Sequence, residues 1–194
     1  MLTLPNVNYF DVRGTRVRKV LYIFGLLTDA DIDWMSRAGV RCRVKDGETL
    51  IEQGKPIDSI ILLLQGRLSV SVKGVGVVAR LGVGEIVGEM SMVDSAPPSA
   101  DVRADGDCLI LALDKTVLLR KLTTDTGFGS RFYKALAVFL ADRLREMEQR
   151  LSANNEQSLT AETMLKDELD VAILDNLSMA GDRFEWMLKV LSGA

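Results

Sequence analysis

The stretch GEMSMVDSAPPSADVRA, from Gly88 to Ala104, holds the residues best placed to do chemistry. A glycine precedes a lone carboxylate, Glu89. Met90, Met92 and Val93 fit one short helical turn, Pro97 and Pro98 stiffen the exit, and an alternating strand follows. A carboxylate cannot hold a phosphate, but it accepts hydrogen bonds from sugar hydroxyls. Free N–H groups at the start of a helical turn can face an anion. The stretch therefore reads either as a pocket for a ligand bearing a sugar and a phosphate or as a rigid structural loop. Just before it, GVGEIVG invites a dinucleotide-loop reading. Its spacing is GxGxxxG, no long helix follows, and no βαβ unit surrounds it, so these glycines read as turn residues.

Composition narrows the classes. The 194 residues suit one domain with an appendage or two small domains, and apolar residues at 47% are enough for a core. A net charge of −3 argues against a general polyanion binder. The absence of histidine removes His-based triads, most zinc sites and the commonest general base. No paired catalytic carboxylates and no nucleophile–base pair are visible, so the chain reads as a non-enzyme. Cys42 and Cys108 lie in separate alternating runs and read as reduced core thiols of a cytoplasmic protein. Two cysteines without other soft ligands make no closed zinc site. No apolar run approaches the roughly 20 residues of a membrane span. LYIFGLL, after Arg16, Arg18 and Lys19, is too short and lacks a small-residue cleavage site, so it reads as a buried helix end.

The chain must position the 88–104 stretch with what flanks it. RVRKVLYIFGLL reads as a helix ending at Gly25, and TDADIDWMSRAG as a second, with Thr28 as N-cap, Asp31 completing a capping box and Gly39 as the stop. Ile32 and Met35 then face inward. The basic cluster Arg13, Arg16, Arg18 and Lys19 reads as a solvated helix face. From Gly39 to Asp114 the period is two: VRCRV, SIILLLQG, RLSVSV, VGVVARLG, SADVRA and CLILAL alternate or run apolar, punctuated by turns at Asp46-Gly47, Lys73-Gly74 and Asp105-Gly106. Many short strands so spaced form a small antiparallel barrel or roll. From Gly127 the period returns to 3.6. Phe132, Leu136, Phe139, Leu140, Leu144, Met147 and Leu151 form one stripe, with Arg143, Glu146 and Arg150 on the other face. SANNEQS reads as a linker, and the remainder as two short amphipathic helices split near Gly181.

In this order the segments resemble the cyclic nucleotide-binding domain family of catabolite activator proteins, protein kinase A regulatory subunits and gated channels. GLLTDADIDWMSRAG resembles the family's opening helical motif. DGETLIEQGKPIDSIILLLQGRLSVSV resembles its strand–Gly–strand pattern, and LGVGEIVGEMSMVDSAPPSADVRA its phosphate-binding cassette. The resemblance covers roughly residues 20–151. It implies an α+β fold: an eight-stranded β-roll (double-stranded β-helix, or jelly roll) with flanking N-terminal helices, a long C-helix and a helical C-terminal tail. The divisions expected are 1–38, 39–126, 127–152 and 153–194. It also implies a ligand site at Gly88, Glu89, Met90, Ser99 and Ala100, with cyclic AMP or cyclic GMP as the candidate ligand and neither metal nor further cofactor.

One position departs from the family. Its phosphate-binding arginine should stand directly before Ser99, where this chain has Pro98. A hydrogen bond to a charged group contributes about 1.5–3 kcal/mol, so the loss weakens a nucleotide by about one to two orders of magnitude. Glu85, Glu89, Asp94 and Asp101 add negative charge, and Arg103 lies five residues on in a strand. Two readings stay open: a non-enzymatic sensor module that signals through its C-helix and tail, and a ligand-free interaction module that kept the fold. The C-helix outruns a small roll, so a homodimer through its far half is expected. The 43 residues after it are too few and too acidic for a winged helix, so direct DNA binding is not expected, and the tail reads as a surface for a protein partner or as helices packed back on the roll.

Overall fold

The computed structural model describes residues 24–154 and 171–192. The basic cluster at 13–19, the rest of the first helix and residues 155–170 of the expected linker and tail lie outside the described residues. α1 (Asp29–Ala38) begins with the expected capping box: the Asp31 N–H donates to the Thr28 hydroxyl and the Thr28 N–H to the Asp31 carboxylate. Ile32 and Met35 are fully buried. Gly39 ends the helix in an extended conformation, where a Cβ would lie 2.6 Å from Leu111. Gly25 does not cap the preceding helix. Residues 24–26 are all helical, which carries Phe24 and Leu27, both buried, onto the core.

Eight strands follow: β1 (Val40–Val44), β2 (Thr49–Ile51), β3 (Ser59–Gln65), β4 (Leu68–Val72), β5 (Gly76–Leu81), β6 (Ile86–Val87), β7 (Asp101–Ala104) and β8 (Cys108–Asp114). They form two four-stranded antiparallel sheets, ordered β1-β8-β3-β6 and β2-β7-β4-β5. The continuous apolar run of β3 is explained by burial on both faces. Ile60, Leu62 and Leu64 pack against the helices, while Ile61 and Leu63 fill the space between the sheets. β8 is divided in the same way, with Leu111 and Leu113 toward the helices and Cys108 and Ile110 inside. The second sheet buries only its inner face, so Leu68, Leu81 and Val102 alternate with outward Ser69, Arg80 and Arg103. Both cysteines are free thiols.

A short α2 (Met90–Val93) interrupts the strands. A helix that the period-two reading passed over, α3 (Lys115–Thr124), follows β8 and is capped by Asp114 on the Val117 N–H. Asp125 separates it from the 29-residue α4 (Thr126–Asn154): its carboxylate accepts from Phe128 N–H and, on the other oxygen, from Lys121. α4 runs through Asn154, so the first three residues of the expected linker at 152–158 are helical instead, since Ser-Ala-Asn holds nothing that breaks a helix. α5 (Val171–Ser192) is one helix, not two split at Gly181. A lone glycine costs about 1 kcal/mol in a helix interior. Burial of Ala180, Phe184 and Met187 on either side of it outweighs that, with Phe184 edge-on to Phe24 at 5.1 Å. α5 therefore packs on α1 and the end of the preceding helix.

Candidate functional site: the 88–101 cassette and Arg143

β6 is only two residues long, paired with Ile61 and Leu62 of β3. The chain leaves it through Gly88 at φ +85°, where a Cβ would sit 2.9 Å from the Ser59 carbonyl oxygen. Only glycine suits that conformation at that approach. The turn drives the Glu89 side chain inward, leaving it 2% exposed. Met90, at the start of α2, is instead 53% exposed. The single helical turn expected for Met90, Met92 and Val93 is present as α2.

Glu89 is met by a side chain from 54 residues away. Arg143 of α4 donates from Nη1 to Glu89 Oε1 at 2.5 Å and from Nη2 to the Ile86 carbonyl at 2.9 Å. The same Nη2 stands 3.5 Å from Glu85 Oε2, and the guanidinium lies 4.4 Å from the centre of the Phe139 ring. One arginine thus serves two buried glutamates. Glu85 also accepts the Gly82 N–H on its other oxygen. Burial pushes the Glu89 carboxyl above its usual range, Arg143 pulls the other way, and the nearby Glu85 charge adds to the rise. The periodicity places Arg143 on a polar face, and this is corrected: it reaches into the cassette, because it lies one turn after Phe139 at the edge of the buried stripe. The side chains of Glu146, Arg150 and Leu151 lie outside the described residues.

Among the described residues, the far end of the cassette has no cation as enclosed as Arg143. Pro98 contributes a carbonyl that accepts the Gly54 N–H at 2.8 Å. Ser99 is exposed and Ala100 half-buried. Asp101 is 8% exposed, and its carboxylate accepts the Gln53 N–H at 2.6 Å. Arg103 points to the outer face of its sheet, 4.0 Å from Asp101. Asp94 accepts the Ala96 N–H. Gly88, Glu89, Ile86 and Arg143 form one cluster; Ser99 and Ala100 sit at the other end of the loop.

Comparison with known proteins agrees with this fold. Residues 41–125 match the family model for the cyclic nucleotide-binding domain. These residues belong to the cyclic nucleotide-binding domain family. The solved structures it resembles include a cyclic nucleotide-binding domain from Methylobacillus flagellatus, at TM-score 0.65 and 24% identity over 74% of this chain and 86% of that one. They also include the Thermus thermophilus catabolite activator protein, at TM-score 0.56 and 20% identity over 89% and 99%. At these identities the likeness concerns the fold. Among curated proteins, Glutaminase 2 of Bradyrhizobium diazoefficiens is 36% identical over 100 residues, half of this chain. An uncharacterized NTE family protein of Mycobacterium tuberculosis is 27% identical over 131 residues, 66% of this chain. The chain spans only 16% and 22% of the length of these two relatives. Among the described residues no helix is long and apolar enough to cross a membrane.

Proposed function

We propose that the chain is a non-enzymatic regulatory module in which α4 reads the state of the cassette through Arg143 and passes it to a protein partner by way of the C-helix and tail. The observation that carries this reading is the Arg143–Glu89 pair. The carboxylate that the family resemblance assigns to ribose is held by a residue of the helix expected to move. A ligand hydroxyl that takes a hydrogen bond to Glu89 changes what Arg143 meets, and so gives the ligand different affinities for two positions of α4, which is the requirement for signalling. Cyclic AMP or cyclic GMP is the ligand class, the module works as a homodimer in the cytoplasm, and it does not bind DNA directly.

A second reading has its own support. Pro98 stands where the family arginine is expected, and Arg143 already satisfies Glu89. A ligand-free interaction module would need nothing more. Calorimetric titration with cyclic AMP and cyclic GMP separates the two, using the native chain and Pro98→Arg. The sensor reading expects measurable binding by the native chain and at least a tenfold gain on Pro98→Arg. Silence of both proteins up to millimolar nucleotide overturns it in favour of the ligand-free module.

A further inference from the structure

Arg143 holds the cassette from α4, and a second cation holds it from α3. Lys115 is the first residue of α3, and its N–H donates to the Asp58 carbonyl at 2.8 Å. Its Nζ donates to the Ile57 carbonyl at 2.6 Å and to Ser91 Oγ at 2.5 Å. Ser91 in turn donates to the Gly88 carbonyl at 2.9 Å. A relay thus runs from the start of α3, through the side chain of α2, to the glycine that sets the cassette's geometry. Gly88 and Glu89 are neighbours, so consecutive cassette residues are fixed by side chains from α3 and α4. Those two helices are themselves joined through Leu118, Leu122, Phe128 and Phe132 in one apolar cluster. The Lys115–Ser91 pair is not a nucleophile with its base. The Ser91 proton is committed to Gly88, and the amine donates in both of its contacts.

We propose that Lys115 is a positioning residue that pins the cassette helix to α3, so that the cassette and the α3–α4 pair move as one body. This deepens the sensor reading by naming the contact through which a movement of the cassette reaches the helices. It holds for an empty cassette as well, so it is testable without a ligand. Partial burial, which pulls the Lys115 amine below its usual range against the opposing pull of Asp58, agrees with a side chain whose stem is enclosed.

Amide hydrogen exchange on the full chain tests it, comparing the native protein with Lys115→Met, Ser91→Ala and the double variant. Methionine keeps the apolar stem and removes the donors. Loss of a charge-assisted hydrogen bond corresponds to about tenfold. Each single variant is expected to speed exchange at residues 88–93 by about that factor. It is also expected to raise exchange at residues 139–145 of α4, while the β3 and β8 core amides stay as in the native protein. The double variant should exceed neither single variant by more than about twofold. Faster exchange at 88–93 with no change at 139–145 overturns the coupling, and additive single variants overturn the relay. A uniform rise across the chain overturns both, since it reports loss of global stability. Should Lys115→Met fail to fold, Ser91→Ala removes one member of the relay and carries the same test alone. The nucleotide titration stands apart: silence there, with exchange coupled as described, leaves Lys115 pinning the cassette of a ligand-free module.

Discussion

Glu89 and Arg143 set the residue-scale argument. A carboxylate 2% exposed is tolerable only when paired, and the pair must offset the cost of taking both charges out of water. Arg143→Met leaves Glu89 buried without its partner. The expected loss is about 1–3 kcal/mol of unfolding free energy by urea titration. Adding Glu89→Gln should recover part of it, because the stranded charge is gone. A double variant as unstable as the sum of the singles would show that the two side chains do not interact. The pH dependence follows with its own sign. The folded state raises the Glu89 pKa, so it holds this proton more tightly than the unfolded chain does. That contribution to stability is present below the ordinary glutamate value of about 4.3 and is lost as pH rises through the higher folded value. Glu89→Gln should flatten that decline.

At the scale of elements, α1 is where the C-helix and the tail converge. Arg131 of α4 makes a bidentate pair with Asp31, at 2.7 and 2.9 Å, and Arg183 of α5 reaches Asp29 and the Phe24 carbonyl. Burial alone would raise the Asp31 pKa, but the hydrogen bonds from Arg131 and Thr28 and the Arg131 charge together bring it below the ordinary value. The sign is opposite to that of Glu89. This stabilisation is present above about 3.9 and is lost as pH falls through the lowered folded value. Asp31→Asn should therefore remove part of the acid-side loss of stability, measured as unfolding free energy between roughly pH 5 and pH 2. The tail is held differently. The Asp29 side chain is 84% exposed, so the Arg183 pair contributes little. The contact that matters is Phe184, 2% exposed against Phe24. Phe184→Ala should cost about 3 kcal/mol and speed amide exchange along α5. Unchanged exchange in α5 would mean the helix is held by something else.

These elements also show what a one-dimensional pattern can carry. The continuous run of β3 and the alternation of β4 and β7 are legible because a strand's burial is written at period two. The capping box of α1 is legible because both partners lie within three residues. The ordered set of glycines and Glu89 was enough to name the family. α3 was passed over because KTVLLRKLTT is short and weakly amphipathic, and its cap, Asp114, also ends a strand. Gly181 misled because a glycine's local cost is visible in the sequence, while the burial of Phe184 and Met187 that offsets it is tertiary. Arg143 and Lys115 were missed for the same kind of reason. Periodicity says that a residue lies at the margin of a stripe; it does not say that a carboxylate 54 residues away, or a serine 24 residues away, waits there.

At the scale of the whole molecule, the question is what covers the far half of α4. Phe128, Phe132, Leu136 and Phe139 are buried in the helical core of the protomer, and Arg143 carries the contact of α4 with the cassette. Next to it Leu144 is 58% exposed, and one turn beyond Arg143 Met147 is 59% exposed. They continue the stripe that upstream is core. Exposed large apolar side chains in a continuous row mark a contact surface more often than a bare one, and a self-complementary helix face meets its own copy about a two-fold axis. The proposed dimer therefore runs through Leu144 and Met147, with partly buried Leu140 at its inner edge. Leu144→Glu with Met147→Glu would place like charges at that contact without disturbing the core of the protomer. Light scattering coupled to gel filtration should give about twice 21.3 kDa for the native chain and 21.3 kDa for the double variant. A native chain that already runs as a monomer would overturn the dimer. The exposed row would then belong to the protein partner, beside the one turn of α4 that senses the cassette.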